Sequence, residues 1–495
     1  MMKSHLPPFY STLIGMAQNK SCIIDRVVTR VNFRRYIFLN TAFRLGLSFT
    51  VLFFLGVFFS IEILSAQSKI SKQPNIVFLL IDDLGYGECG FKGGKEILTP
   101  QIDRLAKEGA ILENHYVQPV CSPSRAALLT GRYPTHTGVY TIVSPGSGKG
   151  LPLNERTLAD ALRSAGYQTA ITGKWHLGEA SKFFQPNARG FDYQYGHFLG
   201  NIDYFTHRRN NQPDWYRNGE AIIEEGYSTH LIAQEACRTI ESSDHSKPLF
   251  LYVPFNGVHS PYQVPDQYLQ PYAHMSGDRQ KIAGMLAAID EAVGQITQSL
   301  TKAGIIENTL IIVSSDNGAP SPGNNFPLRD FKATLYEGGI RGVAFANWPG
   351  HINAGQLIGE PMHMVDWYPT LVKLAGGTLD QPLPIDGLDV WPMITQSAHS
   401  PHDAILSVST RGPRLSAIRM GNWKLIVLES SKGQATGKIA AMYEPTALFN
   451  LSDDPSEKIN LASKYPERVI AMHQRLDELL KGAVPFGAVD TSAAN

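Results

Sequence analysis

Four apolar runs of strand length are each followed at once by polar residues, and this repeated pattern limits the fold more than any other feature of the chain. Residues 75–81 lead to Asp82-Asp83, and residues 169–172 to Gly173-Lys174-Trp175-His176. Residues 249–253 lead to Asn256 and His259, and residues 309–315 to Asp316-Asn317-Gly318. Strands apolar at every position are buried on both faces, as in parallel sheets covered by helices. The spacing between the runs leaves room for those helices. Thr99-Pro100 opens one that buries Ile102, Leu105 and Ala106, Leu158 and Leu162 mark a second, and Ile282, Met285, Ile289, Val293, Ile296 and Leu300 recur at helical steps. The expected fold is therefore α/β, a doubly wound and mostly parallel sheet, whose ligands bind beyond the carboxyl ends of the strands. All four polar clusters fall at such ends.

After Trp391 the pattern changes. Two short apolar runs flank Gly421-Asn422, a two-residue hairpin signal, and a third lies at 448–451. A last helix carries Val469, Met472, Leu476 and Leu479 or Leu480. We expect three parts: a leader over 1–66, a catalytic α/β domain over 67–395, and a small C-terminal domain over 396–495 with an antiparallel sheet and a helix.

Basic and acidic residues number 44 each, but the first 66 residues hold seven basic and two acidic, so 67–495 carry 37 and 42, a net of −5. A nucleic-acid binder would show a basic excess there. Arg34, Arg35 and Arg44 precede a largely apolar stretch over 45–64, and Leu64-Ser65-Ala66 offers a signal-peptidase site before Gln67. Its uninterrupted part, 51–59, is shorter than the ~20 residues of a spanning helix. This reads as a cleaved export signal, with a periplasmic or secreted product and no stable membrane anchor.

Cys121 opens Cys121-Ser122-Pro123-Ser124-Arg125, and the chain runs on as helix to Thr130-Gly131-Arg132. A thiol there meets unpaired N–H groups and the positive end of the helix dipole, which favour an anion. The carboxylates Asp82, Asp83 and Asp316 and the amide Asn317 form a hard oxygen set suited to Ca²⁺ or Mg²⁺. Glycines flank Lys174 and His176, letting backbone approach a ligand while both side chains donate to an oxyanion. His259 and Lys332 carry weaker local signals. The segment 200–211 concentrates aromatic, cationic and amide groups suited to a sugar, and is expected to line the pocket mouth.

The Cys121 block, Gly173-Lys174-Trp175-His176-Leu177-Gly178, Asp82-Asp83-Leu84-Gly85, Arg189-Gly190-Phe191-Asp192, Ser315-Asp316-Asn317-Gly318 and Tyr336-Glu337-Gly338-Gly339 together resemble the type I, formylglycine-dependent sulfatases. Within that family the chain resembles the arylsulfatase B (N-acetylgalactosamine-4-sulfatase) branch. The resemblance implies an alkaline-phosphatase-like sheet and a calcium-dependent sulfuric ester hydrolase. Cys121 would be converted to formylglycine by a formylglycine-generating enzyme. Asp82, Asp83, Asp316, Asn317 and modified Cys121 would ligate calcium, and Arg125 would hold the modified residue. Lys174, His259 and Lys332 would grip the sulfate, and His176 would hydrogen-bond the catalytic diol. The substrate would be a sulfated carbohydrate or an aryl sulfate. A phosphate or phosphonate monoester hydrolase of the same fold is the alternative. The paired cysteines of lysosomal relatives are missing, which points to an exported bacterial enzyme.

Overall fold

The ten strands of the main sheet lie in the order Gln356–His363, Ala110–Tyr116, Ala344–Asn347, Thr309–Ser315, Asn75–Ile81, Leu249–Phe255, Gln168–Lys174, Tyr193–His197, Tyr216–Arg217 and Glu220–Ala221. The middle five run parallel, from Thr309–Ser315 across to Tyr193–His197. This computed structural model describes residues 73–429 and 442–485, all within one unit, Gln73–Asn495. The expected leader and the last ten residues lie outside the described residues.

The four apolar runs form the predicted strands, and alternation along each explains why every position is apolar. In Asn75–Ile81, Val77, Leu79 and Ile81 enter one core, while Ile76, Phe78 and Leu80 enter the other. Ile311 and Val313 likewise oppose Leu310 and Ile312. Each such side chain contributes about 1.5–3 kcal/mol by burial. The helix Gly277–Lys302 covers the first face with Ile282, Met285, Ile289, Val293, Ile296 and Leu300, all buried. The helices Leu158–Ser164 and Trp367–Leu374 serve the second.

The smaller sheet is antiparallel, in the order Ile405–Ser409, Gly412–Met420, Trp423–Leu428 and Thr446–Asn450. Met420 pairs with Trp423 across Gly421-Asn422, the hairpin expected from sequence. The helix Pro466–Leu480 packs on it through Met472 and Leu476. Cys89, Cys121 and Cys237 are free thiols, so Cys89 and Cys237 form no bridge. Among the described residues no helix is long and apolar enough to cross a membrane.

His402, just before the small sheet, reaches back to the main sheet's flank. Its Nε2 lies 2.8 and 2.9 Å from the two carboxylate oxygens of buried Asp366. Burial opposes charge on this imidazole, but Asp366 outweighs it and holds the pKa above 6.5. Because the folded value is raised, the stabilisation is complete below pH 6.5 and is lost as pH rises through the folded value. Thermal unfolding between pH 6 and 9 should show the wild type losing stability relative to His402→Gln, by up to the ~1.5–3 kcal/mol of a charged hydrogen bond. Parallel curves for the two proteins would refute the pair.

Candidate active site

Parallel pairing sets the site. Ile81 lies opposite Ser315 on one side and Phe255 on the other, so Asp82, Asp316 and the segment after Phe255 emerge side by side. The ladder continues one step further, since Asp82 N donates to Gly257 O at 2.9 Å and Val258 N to Asp82 O at 2.6 Å. Lys174 ends its own strand one place further along the sheet. The helix Cys121–Thr130 begins at the same edge with Cys121, which is 1% exposed.

Arg125, one turn into that helix, is fully buried and ties the ends together. Its Nη2 donates to Asp316 Oδ2 at 2.9 Å and to Asp82 Oδ2 at 3.2 Å, and its Nη1 to Lys174 O at 3.0 Å. Lys174 Nζ pairs with Asp82 Oδ2, and Lys332 Nζ with Asp83 Oδ1 at 2.6 Å. His259 Nε2 stands 3.7 Å from Asp83 Oδ2. Asn317 Nδ2 donates to Asp83 Oδ1 at 2.6 Å, and Asp83 N to Asp316 Oδ1 at 3.2 Å. All ten residues selected from the sequence therefore meet at one edge. The two lysines and Arg125 balance the three carboxylates.

Two atoms stand out as open acceptors: Asp82 Oδ1 and Asn317 Oδ1 are buried without hydrogen-bond partners. Asp82, Cys121 and Asp316, and also Asp82, Asp83 and His259, bring ligand atoms within 4.8 Å of one another. Buried oxygens left unpaired cost about 1–3 kcal/mol each, so a hard cation fits this donor set.

Electrostatics assign protonation states. Burial works against the Asp82 carboxylate, but Lys174, His259, Arg125 and Lys332 outweigh it and hold the group well below the usual range. Asp316 goes the other way, pushed up first by burial and then by the charge of Asp82. Burial, with Lys174 and Arg125 nearby, keeps His176 neutral. Burial also lowers His259 in spite of Asp83 and Asp82. At Cys121 burial raises the thiol even though Lys174 and Lys332 favour the thiolate. The anion expected from the helix dipole is thus overridden, and the unmodified residue is a neutral thiol.

Long-range contacts here were missed in the sequence reading. Gly200 lies flat against His176, where a Cβ would sit 2.5 Å from ring atoms Cε1 and Nε2. His259 Nδ1 is 2.6 Å from Ser260 O, a pure acceptor, so Nδ1 carries the proton and Nε2 faces the acids. Ser122 Oγ donates to His176 O at 2.9 Å. The only available signal was Gly200 at the head of a polar segment. One expectation for that segment fails: His207 is buried, stacked 4.5 Å from Trp215, with Nε2 at 3.1 Å from Gly226 O. The Trp215 indole covers one face of its ring, so it does not line the mouth. A cavity of about 580 Å³ bordered by Gln168 and Leu249 lies at the amino ends of their strands and holds none of these groups.

The sulfatase family profile matches residues 74–377. Arylsulfatase J of Mus musculus is 38% identical over 461 residues, covering 84% of this chain and 77% of that protein. N-acetylgalactosamine-6-sulfatase of Mus musculus is 32% identical, covering 84% and 87%. The crystal structure of Ps i-CgsB in complex with k-i-k-neocarrahexaose superposes with a TM-score of 0.77 at 32% identity, covering 84% of this chain and 94% of that one. The chain belongs to the type I sulfatase family. It is a sulfuric ester hydrolase. These relatives include a 6-sulfatase, so they do not single out the 4-position that the sequence resemblance favours.

Gly318 gives a direct test of how the site is held. A Cβ there would lie 1.7 Å from Gly338 O, in the turn that follows Lys332. Gly318→Ala must push this turn away, at a cost of about 1–3 kcal/mol in stability. A displacement near 1 Å costs roughly 100-fold in rate, so kcat/KM on an aryl sulfate should fall by about that factor. Unchanged kinetics would show that Lys332 is positioned independently of this contact.

Proposed function

We propose that this chain is an exported, calcium-dependent sulfatase that removes sulfate esters from sulfated sugars through a formylglycine made from Cys121. The observation that carries this reading is the buried cluster around Cys121, in which three acids, three cations and two neutral imidazoles converge on a thiol too deeply buried to ionise. Such a thiol is a poor nucleophile, whereas formylglycine in its hydrated form supplies a hydroxyl nucleophile. Asp82, Asp83, Asp316 and Asn317, with residue 121, would hold calcium, and Asp82 Oδ1 and Asn317 Oδ1 supply its unpaired oxygens. Bound calcium would add positive charge beside the sulfuryl oxygens.

The remaining chemistry belongs to side chains. Arg125 aligns Asp82 and Asp316 and anchors residue 121. Lys174, Lys332 and His259 bind the sulfate, and the two lysines offset charge that builds on its oxygens. His176, held neutral, takes the proton from a hydroxyl at position 121. The protonated form of His259 or of Asp316 delivers the proton to the departing sugar oxygen. With Cys121 1% exposed, the formylglycine-generating enzyme must act before the chain closes over it. Export follows from the basic, then apolar leader and the small residues before Gln67.

Two experiments test this. Protein from a host that performs the modification should yield a 121-containing peptide that has lost sulfur and gained an aldehyde. Cys121→Ala should fold normally and lose turnover. Full activity with an intact Cys121 thiol would refute the mechanism. For the metal, Asp316→Ala should lower bound calcium, measured by elemental analysis, and reduce kcat by at least ~100-fold, the scale of a lost electrostatic contact. Undiminished calcium content and activity would exclude the assigned ligands.

A further inference from the structure

Beyond the sulfate-binding groups the chain builds a second, charged cavity. Gly200 rests on the His176 ring, and the next residue, Asn201, donates through Nδ2 to Ser260 O at 3.3 Å. That carbonyl is also the partner of His259 Nδ1. Arg209 Nη1 in turn donates to Asn201 Oδ1. A short polar relay therefore runs from Arg209 through Asn201 and Ser260 to His259. Outside it, the hairpin Arg208–Arg209 and Gln212–Pro213 opens a cavity of about 410 Å³ against Ser260 and Pro261, within the range of small-ligand sites.

The cavity's charges are uneven. Arg208 is exposed and Arg209 half-buried, and both line it. Its acid, Asp203, is already engaged by three donors: Oδ1 takes Phe205 N at 3.0 Å and Thr206 N at 2.7 Å, and Oδ2 takes Gln263 Nε2 at 2.7 Å. Arg208 Nη1 donates to Asn211 O at 2.9 Å. Among the described residues, the other guanidinium nitrogens of Arg208 and Arg209 have no protein partner. A planar fork of spare donors matches a carboxylate or a sulfate.

We propose that this cavity is a subsite for the sugar beside the sulfated one, and that Arg208 and Arg209 bind an anionic group carried by that sugar. The inference rests on the sulfated-sugar reading above. The enzyme then selects densely charged chains over isolated sulfate esters. Arg209, through Asn201 and Ser260, also links occupancy of the subsite to the orientation of His259.

The test uses sulfated disaccharides that differ only in the neighbouring sugar: a uronate, its carboxyl-reduced form, a second sulfate ester, and an unsubstituted sugar. The wild type should favour an anionic neighbour in kcat/KM by about tenfold or more, with the preference shrinking as salt rises. The uronate and second-sulfate arms identify which anion is read. Arg208→Gln should bring the ratio of charged to neutral substrate close to one, and Arg208→Glu should invert it. Arg208 is exposed, so neither change threatens the fold. A wild-type ratio within twofold for both anions, or a ratio unaltered by Arg208→Glu, overturns the subsite while leaving the sulfatase assignment intact. Cleavage of aryl sulfate but of no sugar overturns the carbohydrate reading and the subsite together.

Discussion

Asp82 and Asp316 are both fully buried, 0% exposed, and share the guanidinium of Arg125, which is equally buried. Moving isolated charges into such a place costs several kcal/mol per ion, and only close pairing with good hydrogen bonds offsets it. The fold is arranged to meet that condition. Parallel pairing of Asn75–Ile81 with Thr309–Ser315 delivers the two carboxylates together, and the helix starting at Cys121 brings the cation to meet them. Lys174 and Lys332 complete the neutralisation at Asp82 and Asp83. Removing any one of these partners strands a buried charge, so structural and functional demands coincide in the same residues.

The small sheet enters this balance from the far side of Lys332. Glu337 accepts from Lys424 Nζ at 2.9 Å and from Tyr116 OH at 2.7 Å, joining the second sheet to the first. Its backbone N–H donates to Glu457 Oε2 at 2.6 Å, Leu335 N to Tyr443 OH at 2.6 Å, and Arg329 Nη1 to Glu457 O at 2.7 Å. The turn that carries Lys332 is thus gripped from the C-terminal side, while Gly318 presses on it from the other. Arg329 spends its charge on this clamp and on the face of Tyr336, 3.8 Å away, rather than on the site.

Legibility in the sequence followed the range of the forces involved. The central strands and the Gly277–Lys302 helix were readable because burial on a fixed period is a local pattern. The ten site residues were readable because several sit at strand ends that parallel pairing must align, and because family motifs carry the rest. The two-residue strands Tyr216–Arg217 and Glu220–Ala221 could not be read, since two residues carry no period. Nor could Ala344–Asn347, whose antiparallel place in a mainly parallel sheet is set by its neighbours. His207 was misjudged because a histidine in a polar segment gives no local sign that an indole, Trp215, will cover it.

The contrast between Asp82 and Asp316 shows what the neighbourhood adds to the motif. Both are aspartates at the ends of adjacent parallel strands, both are fully buried, and both touch Arg125. Burial opposes ionisation of both carboxyls; at Asp82 the charges of Lys174, His259, Arg125 and Lys332 outweigh it, whereas at Asp316 the charge of Asp82 adds to it. Two groups that look equivalent in sequence therefore differ in their surroundings, since the lysine at the end of Gln168–Lys174 bonds Asp82 and not Asp316. A divalent cation shared between them would relieve the repulsion between the two carboxylates. That repulsion gives this oxygen-rich edge a physical reason to accept a divalent cation, while Lys174 and Lys332 keep positive charge beside it.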